Sequence, residues 1–366
     1  MKIMYDFQSF SMQKYGGISR YFNELQKGIS SIKDNTVEIP ILLSNNYYLS
    51  NNQHVKFINF LKNKNFRGKT TLFNMLNKPY SILKLKQQNY DIFHPTYYDP
   101  YFLQYLGNKP FVITVHDMIH EKFPDNFSRS DKTTQYKKLL CSKATKIIAI
   151  SKNTKKDLIE ILGIDESKIE VIYHGNSFSA AYNNSMKIDI PKKYILYVGT
   201  RNGYKNFNRF IKAVSKILIK NHDLNLVCAG GGAFSHKELT LLNELRIANK
   251  VLQYSIDDTT LAYLYKNALM FIFPSLYEGF GIPILEAFSC GCPVICSNTS
   301  SFPEIAKDAA IYFDPYCEAS MYNAINKMLN DKRVREELIN KGKKRVVFFS
   351  WDKAVYNTLN VYKYIV

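Results

Sequence analysis

Two glutamates on either side of a glycine-containing turn are the residues of this sequence whose types and spacing best suit chemistry. Glu278 and Glu286 stand eight residues apart in the segment PSLYEGFGIPILEA, with Gly281 and Pro283 between them. An apolar run precedes the turn and an apolar, helix-like run follows it, which is the order of a ligand site at the carboxyl end of a strand. Glycines let backbone N–H groups approach a ligand, and a helix N-terminus attracts anions. The segment therefore predicts a site for a ligand that carries both phosphate and hydroxyl groups.

Further polar residues follow other apolar runs. Arg201 and Lys205 come just after YILYVG and before a helix-like pattern, where two cations would neutralise a diphosphate. They also fit ordinary surface charge. His116 follows the run FVITV, and His94 ends DIFH. Substrate-contacting groups commonly lie in such loops, although each histidine alone also fits a loop that only satisfies its own backbone.

Paired glycines and tyrosines add weaker signals. Gly16 and Gly17 precede the helix-like pattern SRYFNEL, so they form either a turn for phosphate approach or an ordinary turn. Tyr97 and Tyr98 suit either a sugar site or simple packing. The sequence lacks the GxGxxG pattern of dinucleotide-binding enzymes and the GxxxxGK[ST] pattern of P-loop enzymes, which argues against both classes.

The length and composition predict two globular domains. The chain has 366 residues, which is too long for one ordinary core. Of these residues, 46% are hydrophobic and 22% are charged, as in a globular protein. No run approaches the roughly 20 apolar residues that span a bilayer. The N-terminus lacks the apolar stretch of a signal peptide, so we expect a cytoplasmic protein. Three closely spaced cysteines, in SCGCPVICS, have no second ligand pair elsewhere, so we assign no metal site.

The protein is basic, with a formal net charge of +18, and one window of the chain is free of acids. Residues 39–90 contain no Asp or Glu, and within residues 56–86 basic residues alternate with phenylalanines and leucines. This pattern suits an anionic membrane surface, which would place the protein at the inner face of the cell membrane. It also fits a solvated helix face with core residues opposite. Nucleic acid suits it less well, and we expect no nucleic-acid partner.

Apolar strand-like runs alternate with longer amphipathic segments through both halves of the chain. This alternation favours parallel, doubly wound α/β sheets. We expect Rossmann-like domains over residues 1–185 and 186–345, with ligands in a cleft where their strand ends face each other. The polar stretch AAYNNSMKIDIPKKY is interpreted as the linker. Residues 346–366 are predicted to form a helix that packs back on the N-terminal domain.

Together these motifs resemble those of family 4 retaining glycosyltransferases of the GT-B fold, including bacterial mannosyltransferase-like enzymes of surface-polysaccharide synthesis. The segment EGFGIPILE fits the family's E-x7-E motif. The paired glycines, the loop at His116, YVGTRNGYKN and SNTSSFPEIAKDAAIYFDP add to the resemblance. The family commonly has an arginine directly before the lysine of YVGTRNGYKN. Tyr204 stands there in this chain, so we expect Arg201 to supply the second cation.

The resemblance implies a role for each candidate residue. His116 would face the transferred sugar and Glu278 would contact it, while Glu286 would hold the ribose hydroxyls of the nucleotide. The cations implied on the diphosphate are Arg201 and Lys205. The remaining residues implied at the donor are Gly16, Gly17, Phe280, Gly281, Ile282 and Glu304. The residues that we expect on the acceptor side are His94, Tyr97 and Tyr98.

The implied reaction is retaining transfer of a mannose-like or glucose-like hexose from GDP-mannose or a UDP-hexose. The acceptor would be a growing glycan or a polyprenyl-linked saccharide in O-antigen- or capsule-type synthesis, and no metal or other cofactor is expected. Cations and a helix N-terminus would absorb the charge that develops on the leaving diphosphate. A carboxylate nucleophile and same-face attack both stay open. So do two other functions: a nucleotide-sugar hydrolase or epimerase on this fold, and a non-catalytic nucleotide-binding regulator.

Overall fold

The chain divides into two compact units. The computed structural model describes residues 1–50, 52–60, 66, 68–178 and 189–366. The first unit comprises Met1–Gly175 and Ser350–Val366, and the second comprises Asn176–Phe349. The first boundary thus falls at Gly175, ahead of the predicted position 185, and the first unit resumes at Ser350, after the predicted position 346. Most of the predicted linker lies outside the described residues.

In the described part of the first unit, short parallel strands form two small sheets. The strands are β1 (Lys2–Met4), β2 (Thr36–Glu38), β3 (Ile92–Phe93), β4 (Val112–Val115), β5 (Lys146–Ala149) and β6 (Ile169–Val171). They pair in the orders β2-β1-β3 and β4-β5-β6. A parallel bridge between Phe93 and Phe111 connects the two sheets. Parallel neighbours require crossover connections, which the helices of this unit supply.

Seven helices of the first unit lie between these strands in the described ranges. They are α1 (Gln8–Met12), α2 (Gly17–Ser30), α3 (Tyr47–Ser50), α4 (Lys69–Lys86), α5 (Ile119–Lys122), α6 (Thr133–Lys143) and α7 (Lys152–Leu162). Helix α2 buries Phe22, Leu25 and Ile29, whose spacing places them on one face of the helix. That stripe fixes which side of α2 meets the core.

The second unit is built on one parallel sheet. Its strands are β7 (Tyr194–Val198), β8 (Asn225–Ala229), β9 (Val251–Tyr254), β10 (Met270–Phe273), β11 (Val294–Ser297) and β12 (Ala310–Phe313). They pair in the order β12-β11-β10-β7-β8-β9. The chain therefore moves outward in one direction from β7 and in the other from β10. The loops that follow these two strands diverge at the carboxyl edge, and this reversal point is where doubly wound sheets bind ligands.

Helices cover this sheet in the second unit. They are α8 (Phe207–Lys220), α9 (His236–Glu244), α10 (Asp258–Asn267), α11 (Ile282–Ser289), α12 (Phe302–Ala306), α13 (Glu318–Asn330) and α14 (Lys332–Val346). Phe210, Val214 and Ile217 of α8 join Ile325 of α13 in a core with β7 and β8. Short 3-10 turns in the two units lie at Pro100–Gln104, Pro124–Asn126, Glu166–Lys168, Gly203–Lys205, Ala248–Lys250 and Lys307–Ala309. Within the described ranges, no helix has both the length and the apolar character needed to cross a membrane.

The last helix, α15 (Trp351–Ile365), packs against α2 within the first unit. The hydroxyl of its Tyr362 lies 2.6 Å from Nδ1 of His94, and Nε2 of His94 lies 2.9 Å from Oγ1 of Thr114. His94 is fully buried. Both ring nitrogens are therefore engaged inside the core of this unit, and a place for His94 on the acceptor side stays a prediction.

Acid should destabilise the first unit through its buried histidines. Burial lowers the pKa of both His94 and His174 to about 3, whereas an unfolded histidine has a pKa of about 6.5. Between these values the unfolded chain binds protons that the native state does not, so stability is complete above about pH 6.5 and falls as the pH is lowered. We expect the free energy of unfolding to fall by up to about 1.4 kcal/mol per pH unit for each histidine.

Denaturant unfolding of the parent and of His94→Gln between pH 7.5 and 4.5 measures this effect. Glutamine offers hydrogen-bonding groups to Tyr362 and Thr114 but does not titrate. The variant should therefore lose stability less steeply than the parent, and equal slopes would contradict the assignment.

Candidate active site

An ion pair joins the two loops at the reversal point of the second sheet. Lys205 lies in the loop after β7 and Glu278 in the loop after β10, and Lys205 Nζ donates to Glu278 Oε1 at 2.6 Å. Both side chains are mostly buried. The sequence analysis assigned both residues to one donor site, and the structure brings them together at the carboxyl edge of the sheet.

Asn206 holds three strand-end loops in place around this pair. Its backbone is left-handed, with φ of 59°, between the short turn at Gly203–Lys205 and α8. Its side-chain amide donates to the carbonyl oxygens of Pro274 at 3.1 Å and Pro315 at 2.8 Å. The loops after β7, β10 and β12 are thus connected through one asparagine. Because Asn206 directly follows Lys205, these bonds also fix the backbone position of Lys205.

Two serines after β11 support the glutamate turn from the other side. Ser300 Oγ accepts from the backbone N–H of Glu278 at 3.1 Å. Ser301 Oγ contacts the carbonyl oxygens of Glu278 at 3.0 Å and of Phe280 at 2.7 Å. The backbone of the turn is therefore held independently of the ligand, so that its N–H groups are oriented before binding.

The turn ends at the N-terminus of α11. Gly281 has φ of 107°, a region that favours glycine, and a Cβ there would lie 3.3 Å from Ile284 and 3.4 Å from Phe302. Pro283 occupies the first turn of the helix, where its missing N–H costs nothing. The backbone from Phe280 to Ile282 accordingly forms the helix start predicted from the sequence, and such an N-terminus favours an anion.

Glu286 lies about one turn into α11 and is buried. The hydroxyl of Tyr265 on α10 donates to Glu286 Oε2 at 3.3 Å. Burial, together with the adjacent Glu286 charge, raises the pKa of Tyr265 well above its usual value. Because Tyr265 keeps its proton, it acts as a fixed donor that orients one carboxylate oxygen of Glu286.

Glu304 lies on α12, directly after the serine loop. Its side chain is half-buried, and its backbone carbonyl accepts from Arg345 Nη2 at 2.9 Å. The Nε of Arg345 donates to the carbonyl of Ile305 at 2.8 Å. The position of α12 is thus fixed from α14, and Glu304 belongs to the same edge of the sheet as Glu278.

Arg201 makes several hydrogen bonds to the turn after β8. Its Nε donates to Oε1 of Glu238 at 2.6 Å, and its Nη1 to the carbonyl of Gly230 at 3.1 Å. Its Nη2 donates to the carbonyls of Gly232 and Ala233 at 2.9 and 3.0 Å. The guanidinium is buried in the turn after β8. In this structure its donors are used by the protein, and its role on the diphosphate stays a prediction.

In the first unit, Gly16 and Gly17 form the start of α2. A Cβ on Gly16 would lie 2.2 Å from Oε1 of Gln13. That oxygen accepts from the backbone N–H of Ser19 at 3.1 Å, so the Gln13 side chain caps the helix. Glycine at position 16 is needed for this close approach, and the helix start is the feature that the sequence analysis proposed for phosphate.

His116 follows β4 in the first unit and is largely buried. Its backbone N–H donates to the hydroxyl of Tyr98 at 3.3 Å, and its ring meets the edge of Tyr21. Burial, followed by the charges of His174 and His94, holds its pKa well below the usual value. Its Nε2 is buried and has no hydrogen-bond partner among the described residues. A neutral imidazole with an unused nitrogen suits a polar contact to a sugar hydroxyl.

Tyr97 and Tyr98 line a cavity of about 400 Å³ in the first unit. The cavity lies beside the loops that follow β1 and β3, and the remaining lining residues are Phe7, Gln8, Met12, Asn74, Lys78, Asp99, Lys132, Thr133 and Tyr136. Oδ1 of Asn74 is buried there without a hydrogen-bond partner among the described residues. Aromatic faces with a few polar groups are typical of small-molecule sites.

Sequence reasoning missed the residues that hold the turn, namely Asn206, Ser300 and Ser301. The run of small polar residues directly after the strand VICS was the available signal for the serines. For Asn206 a weaker signal existed, since asparagine is among the few residues that tolerate a left-handed backbone.

The structural role of Arg201 predicts a stability effect. Arg201→Gln leaves the Glu238 carboxylate and several glycine-turn carbonyls without their donor, so we expect the second unit to lose about 3 kcal/mol of unfolding free energy. Urea unfolding measures this loss, with Lys205→Gln as the matched control. Lys205 donates to a single carboxylate, so its variant should lose less, about 2 kcal/mol. A fully stable Arg201→Gln protein with weakened nucleotide binding would contradict the structural role and support the predicted role on the diphosphate.

Models of two glycosyltransferase families match the two halves of the chain. Residues 15–176 match the model described as Glycosyltransferase Family 4. Residues 180–345 match the model described as glycosyl transferases group 1. The second match contains the complete glutamate turn and Lys205.

Curated relatives agree with this assignment. An uncharacterized glycosyltransferase of Methanocaldococcus jannaschii is 30% identical over 294 residues, 75% of each chain. O-antigen chain mannosyltransferase B of Escherichia coli is 35% identical over 173 residues, which span 46% of this chain and 45% of that protein. A Campylobacter jejuni 4-alpha-N-acetylgalactosaminyltransferase, named for a diphospho-undecaprenol-linked saccharide, is 30% identical over 60% of each chain.

Solved structures share the fold over nearly the whole length. Sucrose-phosphate synthase from Thermosynechococcus elongatus has a TM-score of 0.77 at 19% identity, covering 99% of this chain and 98% of that one. Anabaena HepE, in complex with UDP and glucose, has a TM-score of 0.75 at 17% identity, covering 99% of both. The predicted family and fold are confirmed: the chain belongs to glycosyltransferase family 4 and has a GT-B fold made of two parallel α/β units.

Proposed function

We propose that this glycosyltransferase moves a mannose-like or glucose-like hexose from a nucleotide-diphosphate sugar to a growing glycan or a lipid-linked saccharide. The reaction proceeds with retention at the anomeric carbon and belongs to surface-polysaccharide synthesis of the O-antigen or capsule type. The observation that carries the proposal is the Lys205–Glu278 pair at the reversal point of the sheet, beside the N-terminus of α11. A cation, a helix start and two carboxylates together match a ligand with both phosphate and sugar groups.

The donor-binding roles follow from the chemistry of these groups. Lys205 and the backbone N–H groups at the start of α11 bind the diphosphate, since both attract anions. Glu286 holds the ribose hydroxyls, for which its carboxylate is oriented by Tyr265. Glu278 lies eight residues before Glu286, in the loop ahead of α11, and we assign it to the sugar end of the donor. We assign Glu304 to the nucleotide because α12 follows β11 at the same carboxyl edge of the sheet.

The proposed chemistry relies on stabilising charge during departure of the diphosphate. Negative charge grows on the leaving phosphate and positive charge on the anomeric carbon. Lys205 and the helix N-terminus stabilise the first, and the Glu278 carboxylate stabilises the second. The leaving phosphate accepts the acceptor's proton on the same face, which gives retention. We assign His116 to a hydroxyl of the transferred sugar, because its neutral ring has an unused buried nitrogen. These groups supply the charge stabilisation without a metal ion.

The donor and acceptor classes are supported by the relatives. The name of the Escherichia coli relative specifies a mannosyltransferase, and the Anabaena neighbour binds UDP and glucose, so GDP-mannose and UDP-hexoses are the donors to test. The name of the Campylobacter relative specifies a diphospho-undecaprenol-linked saccharide. We therefore propose that the cavity lined by Tyr97 and Tyr98 receives a saccharide, and that the enzyme works at the cytoplasmic face of the membrane.

A panel of nucleotide sugars tests donor binding and names the donor. The true donor should raise the thermal midpoint, since a ligand at 100 times its dissociation constant contributes about 2.7 kcal/mol. Glu286→Gln should weaken that binding about tenfold or more, because charge-assisted hydrogen bonds to the ribose are lost. Glu336→Gln, on the exposed surface of α14, is the control and should bind like the parent. If no nucleotide diphosphate stabilises the parent, the proposed function fails.

Product analysis tests the stereochemistry and the metal requirement. With the identified donor and an acceptor saccharide, NMR should show a new glycosidic bond with the donor's anomeric configuration. Activity should survive a chelator, because Lys205 and the start of α11 supply the positive charge on the diphosphate. An inverted product, or loss of activity that added Mg²⁺ restores, would refute this mechanism. Free sugar or an isomerised donor without acceptor would instead indicate a hydrolase or epimerase.

A further inference from the structure

Helix α4 buries two polar residues beside two apolar ones. The residues that face the interior recur every four positions and are Phe73, Asn77, Ser81 and Leu85. Asn77 Oδ1 accepts from the backbone N–H groups of Leu42 and Leu43 at 2.8 and 2.9 Å. Ser81 Oγ lies 2.7 Å from the hydroxyl of Tyr101. These buried hydrogen bonds fix the rotation of α4 about its axis.

The opposite side of α4 carries exposed apolar residues. Met75, Leu76 and Leu83 expose 67%, 45% and 55% of their surface, with the exposed Pro79 between them. Their spacing places them along a single stripe of the helix. Contiguous exposed apolar side chains of this kind mark a surface that meets a membrane or another protein.

The charges around the stripe favour a lipid surface. Helix α4 contains four lysines and no acid, and residues 39–90 contain no acid at all. Lysines beside an apolar stripe are the pattern of a helix that lies in the headgroup region of an anionic bilayer. The same window contains further exposed apolar residues before the start of α4, namely Ile58, Phe60 and Phe66.

The lysines contribute less than the sequence analysis expected. Lys78 Nζ is paired with Asp99 at 3.2 Å and Lys84 Nζ with Glu38 at 2.8 Å. Three other basic residues of the predicted membrane window, Lys62, Lys64 and Arg67, lie outside the described residues. Paired cations attract anionic lipid weakly, so insertion of the apolar stripe must provide most of the attachment.

We propose that α4 docks on an anionic lipid bilayer with Met75, Leu76 and Leu83 inserted below the headgroups. Asn74 and Lys78 of the same helix line the cavity that contains Tyr97 and Tyr98. One helix therefore contacts the bilayer on one side and borders the saccharide cavity on another. This docking deepens the proposed use of a lipid-linked acceptor and rests on it, since the saccharide of such an acceptor would reach the cavity from the bilayer surface.

Vesicle sedimentation tests the docking. The probe is vesicles of phosphatidylcholine with about one third phosphatidylglycerol. The parent should bind and stay bound at about 0.5 M salt, where charge attraction is screened. Leu76→Asp/Leu83→Asp should lower the partition coefficient at least about tenfold, because two charges replace inserted apolar groups. The matched control is Leu239→Asp on α9, since Leu239 has an exposed fraction of 44%, close to that of Leu76; it should bind like the parent.

Three outcomes would overturn the proposal: equal binding by parent and double variant, full release of the parent by salt, or a dimer in solution that the double variant dissociates. The last would assign the stripe to a second copy of the chain. Donor-induced thermal stabilisation of the double variant is measured in parallel and should equal that of the parent. If vesicles bind as expected but no nucleotide diphosphate stabilises either protein, the proposed function fails while the membrane surface stands.

Discussion

The reversal of strand order between β7 and β10 is the constraint on which the donor half of this protein depends. Only where two neighbouring parallel strands send their chains in opposite directions do the following loops separate and leave room at the carboxyl edge. Lys205 and Glu278 are 73 residues apart in the chain but meet across that opening. Asn206 then fixes the spacing of three loops by accepting an uncommon left-handed backbone. Two hydrogen bonds from a single amide thus fix the width of the opening between the loops that follow β7 and β10.

Buried polar groups in this protein serve two different purposes. Arg201 uses its donors to close the turn after β8, and His94 is enclosed by Tyr362 and Thr114. These groups specify local structure. Glu286 and His116 are also buried, and their roles at the donor are part of the proposed function. His94 and Arg201 follow strands as well, so burial and a position after a strand do not by themselves identify function.

Much of the fold follows from local sequence patterns. The contacts that the sequence could not show join residues that lie far apart in the chain. Alternating apolar runs were sufficient to predict two parallel α/β units, and glycine with proline marked the start of α11 correctly. The sequence could not show that Arg201 binds carbonyls 29 to 32 residues later, or that His94 contacts a tyrosine 268 residues away. For α4, the sequence left open a membrane-facing surface and a solvated helix face with core residues opposite, and it did not show which side faces inward. That choice depends on Asn77 meeting the backbone of Leu43, a tertiary contact without local signal.

In the ion pair at the reversal point the charge of Lys205 is balanced by Glu278. A ligand that takes Lys205 from Glu278 would have to supply comparable negative charge. Nucleosides and neutral sugars gain nothing from that exchange, while a diphosphate does. Under the proposed donor roles, the released carboxylate would serve the sugar end of the donor. The contact that holds two loops together would then also couple selection of the donor to the release of Glu278.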